Sequence, residues 1–243
     1  MQHNPFVLHF FSACSAQDST ISKDLPWSVK LAESFIQSHP WAVAYDETNV
    51  NQKWNYEQVT ILEGLHQVWF KTKEERYLNF IKDNIDQYIS EDGTIRTYKY
   101  GDFNLDNINP GMQLLFLYEQ TKAEKYKIAA GTLRKQIENQ PRTKACGFWH
   151  KKIYPFQMWL DGLYMASPFY AGYIQMFNDS KDYSDITRQI ITVYNQTLDS
   201  KPGLLFHAWD ESKEQKWSDP ETGHAPHIFA ALELEKAGLL KVN

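Results

Sequence analysis

The chain has 243 residues, of which 42% are hydrophobic and 23% charged, and its formal net charge is −5. That balance supplies one sizeable apolar core and describes a folded globular protein, not a low-complexity or fibrous one. An acidic total without any Lys/Arg run argues against a nucleic-acid partner, and no stretch is long and apolar enough to span a bilayer. The aromatic share is high at 15%, and two cysteines, Cys14 and Cys146, define no disulfide framework.

The first segment ends Phe6-Val7-Leu8-His9-Phe10-Phe11-Ser12-Ala13-Cys14, an apolar run closing on small residues before cysteine. It resembles a bacterial lipoprotein signal, although a basic start is lacking. Residues 1–25 are therefore expected to be a leader and linker, with a lipid anchor at Cys14 and a periplasmic or outer-membrane location, the alternative being a frayed apolar terminus on a cytoplasmic protein. The folded domain is expected over residues 26–243.

From Pro26 onward the periodicity is helical almost throughout. A run from Pro26 to Ser38 is followed by one from Trp54 to Phe70, with Val59, Leu62, Leu65 and Val68 on its apolar side. Further runs fall near 75–90, 110–121, 123–138, 159–178 and 182–198. Asn109-Pro110 reads as a cap followed by a first helical position. Long alternating strand patterns are absent.

Two inter-helix turns repeat. Thr72-Lys73-Glu74-Glu75-Arg76-Tyr77 and Thr121-Lys122-Ala123-Glu124-Lys125-Tyr126 share Thr-Lys, then Glu-basic-Tyr, and Ser180-Lys181-Asp182-Tyr183 is a weaker echo. Repeated helix–turn–helix units predict stacked hairpins in a toroid or solenoid. Three aromatic and polar segments interrupt the helices: Thr94–Pro110, Gln140–Trp159 and Pro202–Pro226. Long ordered loops on a helical scaffold are where function concentrates.

Two carboxylates in these loops stand out. Asp106 lies just ahead of the helix that starts near Pro110, and Asp161 lies at the start of the helix that follows Trp159. Both precede helices of one direction in successive hairpins, so both are predicted at the same end of the helical ring. A lone Asp at a helix start need do no more than complement the helix dipole. Asp161, however, is flanked by Trp159, Tyr164 and Met165. Burial among such groups beside a second carboxylate favours a protonated acid, while the dipole favours the anion. His150, Lys151 and Lys152 follow Gly147-Phe148-Trp149, and His207 and Trp209 lie in Leu205-Phe206-His207-Ala208-Trp209-Asp210. Donors beside aromatics suit a ligand with sugar rings and a carboxylate. No ligand pair has the tight spacing of a metal site, so neither metal nor cofactor is expected.

At these motifs the chain resembles the unsaturated rhamnogalacturonyl hydrolases, glycoside hydrolase family 105, related to the unsaturated glucuronyl hydrolases of family 88. The matching stretches include Trp54-Asn55-Tyr56-Glu57, Leu105 to Gly111, Pro141-Arg142-Thr143, Gly147 to Lys151, Gln157 to Pro168, Leu204 to Ser212 and Trp217 to Gly223. The resemblance implies an all-α, (α/α)6 barrel of helical hairpins with its site at one mouth. It implies Asp161 as general acid/base and Asp106 as its carboxylate partner. Tyr56, His150, Lys151, Trp159, Met165, His207 and Trp209 are implied to line the sugar pocket. The implied substrate is an oligosaccharide ending in a 4,5-unsaturated uronic acid, released by hydration of its enol ether. A glucuronyl-ended substrate and a silent, sugar-binding relic are the alternatives.

The match stops after Pro226-His227-Ile228-Phe229. Family members continue into a Trp-Gly-Arg segment and further helices, which Ala230–Asn243 does not match. The resemblance thus implies a barrel incomplete at its C-terminus, lacking an Arg for the substrate carboxylate. One such charged hydrogen bond is worth about 1.5–3 kcal/mol, so weak activity is expected of the chain alone.

Overall fold

The computed structural model describes residues 21–22, 24–40, 43, 53–179, 183–201 and 203–225. The expected leader with Cys14, the echo at 180–182 and everything from Pro226 onward lie outside the described residues. The chain divides into two compact units, Met1–Ser38 and His39–Asn243. In the first, the described helix is α1 (Trp27–Ser38), opened by a hydrogen bond from the Lys30 N–H to the Pro26 carbonyl at 3.0 Å.

The second unit carries six helices among its described residues. These are α2 (Tyr56–Thr72), α3 (Glu75–Asp86), α4 (Gly111–Thr121), α5 (Glu124–Asn139), α6 (Gly162–Phe177) and α7 (Ser184–Thr197). Four short strands accompany them: β1 (Gln157–Trp159), β2 (Leu198–Asp199), β3 (Leu204–Leu205) and β4 (Ala208–Asp210). Each run read from the periodicity is a helix within a few residues of its expected ends. Among the described residues none is long and apolar enough to cross a membrane.

The repeated turns share one geometry. Helix α2 ends at Thr72 with Lys73 left-handed at φ 56°, and α4 ends at Thr121 with Lys122 left-handed at φ 58°. Each left-handed lysine donates its N–H back to the last turn, to Trp69 O at 2.7 Å and Tyr118 O at 2.9 Å. Each threonine Oγ1 accepts the N–H two residues on, from Glu74 at 3.3 Å and from Ala123 at 3.2 Å. The side chain thereby holds the turn that the backbone reverses through. Tyr77 and Tyr126, the conserved last residues of the two repeats within this chain, are both fully enclosed.

Helices α3 and α5 each bury one stripe, Tyr77, Phe80, Ile81 and Ile85 in one and Tyr126, Ala129, Ala130, Leu133 and Ile137 in the other. That is the one-sided pattern of an outer helix. Helix α4 instead buries five consecutive residues, Gln113 to Leu117, and so is covered on all sides. It packs against α2, α3, α5 and α6, and with α3 and α5 one-sided, α2, α4 and α6 form the inner row. The row is tight: a Cβ on Gly111 would collide with the Phe169 ring of α6, so only glycine allows that approach.

One cap differs from expectation. Pro110, with φ −59° and ψ −16°, is itself the residue before α4, and no side chain caps this helix. Asn109 Nδ2 turns away and donates to the Tyr164 carbonyl of α6 at 3.0 Å. The neighbouring inner helix offers that amide a buried partner that the α4 terminus does not.

Half-buried ion pairs also tie the layers. Asp86 meets Lys82 at 2.7 Å, Lys125 at 3.0 Å and the Tyr126 hydroxyl at 2.7 Å, and Arg142 grips Asp185 through two 2.8 Å bonds. Burial pushes each carboxyl up, but these donors outweigh it and hold Asp86 and Asp185 below the ordinary range. A depressed folded-state pKa contributes stability above the unfolded value of about 3.9 and loses it as pH falls through the lower folded value. The thermal midpoint is therefore expected to stay level from neutral pH to about pH 5 and to fall steeply below about pH 4. A midpoint that is level down to pH 3 in a scan across buffers would contradict this.

Candidate active site

Three loops meet where α2, α4 and α6 begin. Trp54, one residue before the α2 cap, is buried and donates its indole N–H to the Asn107 carbonyl at 2.8 Å. Its own N–H donates to Thr97 Oγ1 at 2.8 Å. Asn107 closes a short 3-10 turn, Leu105–Asn107, whose first N–H donates to the His150 carbonyl at 3.0 Å. The predicted common end of successive inner helices is thus present, and Trp54, read from the sequence only as the start of the α2 run and part of a family motif, helps build the site.

Asp106 sits in the middle of that turn, its N–H held by Asn104 Oδ1 at 3.0 Å. The residue is 6% exposed, and its carboxylate is held by His150 Nε2 at 3.1 Å on Oδ1 and Lys151 Nζ at 2.5 Å on Oδ2. Burial raises its pKa, yet the His150 and Lys151 hydrogen bonds and charges more than reverse this and hold it below the usual carboxylate range. These donors hold Asp106 as an anion.

Asp161 precedes α6 with φ −67° and ψ −21°, and its carbonyl accepts the Met165 N–H at 3.0 Å. Its carboxylate does not cap the helix, and Oδ1 is enclosed without a hydrogen-bond partner. Helix-end stabilisation through a side-chain cap therefore does not explain this residue. Single ligand atoms of Asp106, His150 and Asp161 all lie within 4.8 Å of one another. The trio has the composition of a cation site, but Lys151 already places a positive charge against Asp106.

Aromatic rings surround the trio. Trp159 lies parallel to His150, with centroids 4.7 Å apart and planes 4° apart, and parallel to Tyr154 at 5.2 Å and 9°. His207 is tilted against the same indole at 5.7 Å, and its carbonyl accepts the Leu160 N–H at 2.8 Å. Strands β1 and β4 pair antiparallel, matching Gln157 with Asp210 and Trp159 with Ala208. Gly162 touches the cluster directly, since a Cβ there would stand 3.1 Å from His150 Nδ1. Tyr154, Gln157 and Gly162 complete the cluster, and no single-residue signal distinguished them in the sequence.

Of the expected pocket residues, His150, Lys151, Trp159 and His207 are gathered around the two carboxylates. Met165 is buried in the first turn of α6, and Tyr56 stands half-buried at the first position of α2. Trp209 is placed differently: it is buried with Met158 and Val193 in a small apolar cluster, with Leu160 and Leu163 against it. Its ring packs the strand pair onto the helices.

A family model described as Glycosyl Hydrolase Family 88 matches residues 27–230. Among curated proteins, the chain is 25% identical over 190 residues to the unsaturated rhamnogalacturonyl hydrolase YesR of Bacillus subtilis (strain 168), covering 76% of this chain and 53% of that protein. Among solved structures, a family 105 glycoside hydrolase of C. acetobutylicum ATCC 824 superposes with a TM-score of 0.76 at 44% identity, over 83% of this chain and 54% of that one. An α-1,6-mannanase of Salegentibacter sp. HEL1_6, 18% identical over 76% of this chain and 56% of that one, shares the fold with a TM-score of 0.59. The hairpins are those of an (α/α)6-barrel type, and the chain spans about half the length of the relatives it matches. With its fold, its paired carboxylates and a match over residues 27–230, the chain belongs to glycosyl hydrolase family 88.

Proposed function

We propose that the site removes a terminal 4,5-unsaturated galacturonyl residue from lyase-generated rhamnogalacturonan oligosaccharides by hydrating its enol ether. The observation that carries this is the unequal pair: Asp106 is clamped as an anion, whereas Asp161 keeps an enclosed oxygen free of any hydrogen bond. One ionised and one proton-delivering carboxyl is the division of labour that acid-catalysed hydration needs.

In this reading Asp161 gives its proton to C4 of the sugar, and the positive charge appears at C5, shared with the ring oxygen. Asp106 stabilises that charge through the site and helps orient a water molecule. Water adds at C5 and returns a proton to the Asp161 carboxylate, which regenerates the acid. The resulting hemiketal opens and the remaining sugar leaves. No covalent glycosyl-enzyme forms, so the scheme differs from retaining and inverting glycosidases even though two carboxyls are present. The name of the Bacillus subtilis relative and the family 105 neighbour at 44% identity support the uronyl substrate.

The test is the ultraviolet absorbance of the conjugated uronyl group. Incubating the chain with unsaturated rhamnogalacturonan disaccharide should bleach it. Bleaching only of a glucuronyl-ended disaccharide would move the substrate to that class. A steady signal with both, while a longer relative bleaches them, would overturn the proposal for this chain.

A further inference from the structure

The His150 ring has one hydrogen bond, from Nε2 to Asp106, and its Nδ1 is buried without a partner. A histidine that serves a charged group is usually fixed by a second bond at its other nitrogen, and that bond sets the ring plane. Here the second constraint is a stack, the Trp159 indole lying parallel at 4.7 Å. Stacking alone lets one ring slide or swing over the other, so the orientation of Trp159 decides that of His150. The Trp159 Nε1–H donates to Gln157 Oε1 at 3.0 Å.

Gln157 is well placed for this task. It is 2% exposed, and its carbonyl accepts the His150 N–H at 2.9 Å. It therefore meets the histidine twice, once through the backbone and once through the indole. Its strand is anchored on Asp210, which is fully buried. The Asp210 carboxylate accepts the Ser212 N–H at 3.0 Å, its hydroxyl at 2.7 Å, and the N–H groups of Glu214 at 2.9 Å and Gln215 at 3.1 Å. That loop is rigid because each oxygen of a buried carboxylate is satisfied by its own backbone. A chain of fixed groups thus runs from the β1–β4 pair through Gln157 and Trp159 to His150 and Asp106.

We infer that Gln157 is a positioning residue: by holding the Trp159 indole in plane it orients the His150 imidazole, which in turn aims the Asp106 carboxylate. Trp159 then acts on one face as a brace for His150, leaving its neighbour Tyr154 as the ring at the edge of the stack. The inference rests on the proposed hydrolysis only for its consequence on turnover; the orientation itself has a readout that needs no substrate.

The experiment compares Gln157→Leu, which removes the acceptor at similar size, with Gln157→Glu, which keeps an oxygen for the indole N–H. The first measurement is nuclear magnetic resonance of protein labelled with 15N-histidine, the His150 ring signals being assigned by their loss in His150→Gln. Gln157→Leu should shift or broaden the His150 Nε2 signal while the other histidine signals and the unfolding midpoint stay near the parent. Gln157→Glu should restore the parent signal. The second measurement is turnover, where kcat should fall about 10- to 100-fold in Gln157→Leu with KM within about threefold. An unchanged His150 signal in a folded Gln157→Leu protein overturns the inference. So does a shift that Gln157→Glu fails to reverse. If Gln157→Leu does not fold, an unaltered His150 signal in Trp159→Phe, which keeps a ring but loses the donor, overturns it instead. A His150 signal that responds as expected in a chain that never bleaches the substrate supports the orientation chain and removes the hydrolytic reading.

Discussion

Asp161→Asn should leave the protein folded and reduce hydration at least about 10³-fold, within the usual range for a general acid. The amide is isosteric but has no proton to deliver to carbon. Because the Asp161 oxygen makes no hydrogen bond in the folded chain, the substitution strands no partner, and the unfolding midpoint should scarcely move. Circular dichroism and the ultraviolet assay, run on the same sample, read the two effects separately. Turnover within tenfold of the parent would take Asp161 out of the acid role.

Asp106→Asn is expected to differ in kind, lowering both stability and turnover. Its carboxylate is the shared partner of His150 and Lys151, and the lysine side chain is only 21% exposed. Replacing the anion with an amide leaves a half-sheltered ammonium facing a neutral group, at a cost of about 1–3 kcal/mol. Turnover should drop about 10²-fold or more, because the charge proposed to face the developing cation would be gone. The double variant Asp106→Asn/Lys151→Met should recover most of the lost stability, since it removes the ammonium that the single variant leaves without its counter-charge. It should recover none of the activity. Recovery of both together, or of neither, in paired denaturation and turnover measurements would show that Asp106 and Lys151 do not act as the clamp described.

These two predictions depend on different kinds of information. Asp161 was legible as a candidate because Trp159, Tyr164 and Met165 surround it in the chain itself. That its carboxylate forgoes the helix cap was not legible, since a helix-start Asp ordinarily takes that bond. The clamp on Asp106 joins residues 44 and 45 positions apart, His150 and Lys151, and their adjacency in sequence did not say which of the two would meet the carboxylate. Both do, because a tight turn after His150 brings the next side chain back toward the same 3-10 turn, Lys151 bridging to Tyr154.

By itself the sequence determined the helices, their hairpin pairing and the two repeated turns, because these depend on contacts within a few residues. Apolar spacing chooses the helix face, and a Thr-Lys pair supplies both the left-handed residue and the side chain that steadies it. Tertiary structure alone decided the rest. Trp209 illustrates the limit: in a three-residue strand, alternation is too short to say which face is inward, and pairing with Met158 turned the indole into the apolar cluster. Asn109 likewise had two partners open to it, and the carbonyl of Tyr164, 55 residues away, won over its own helix terminus. The unequal carboxylates belong to the same class. Each arises where three loops converge on the starts of α2, α4 and α6, and the local pattern of no one loop contains the other two.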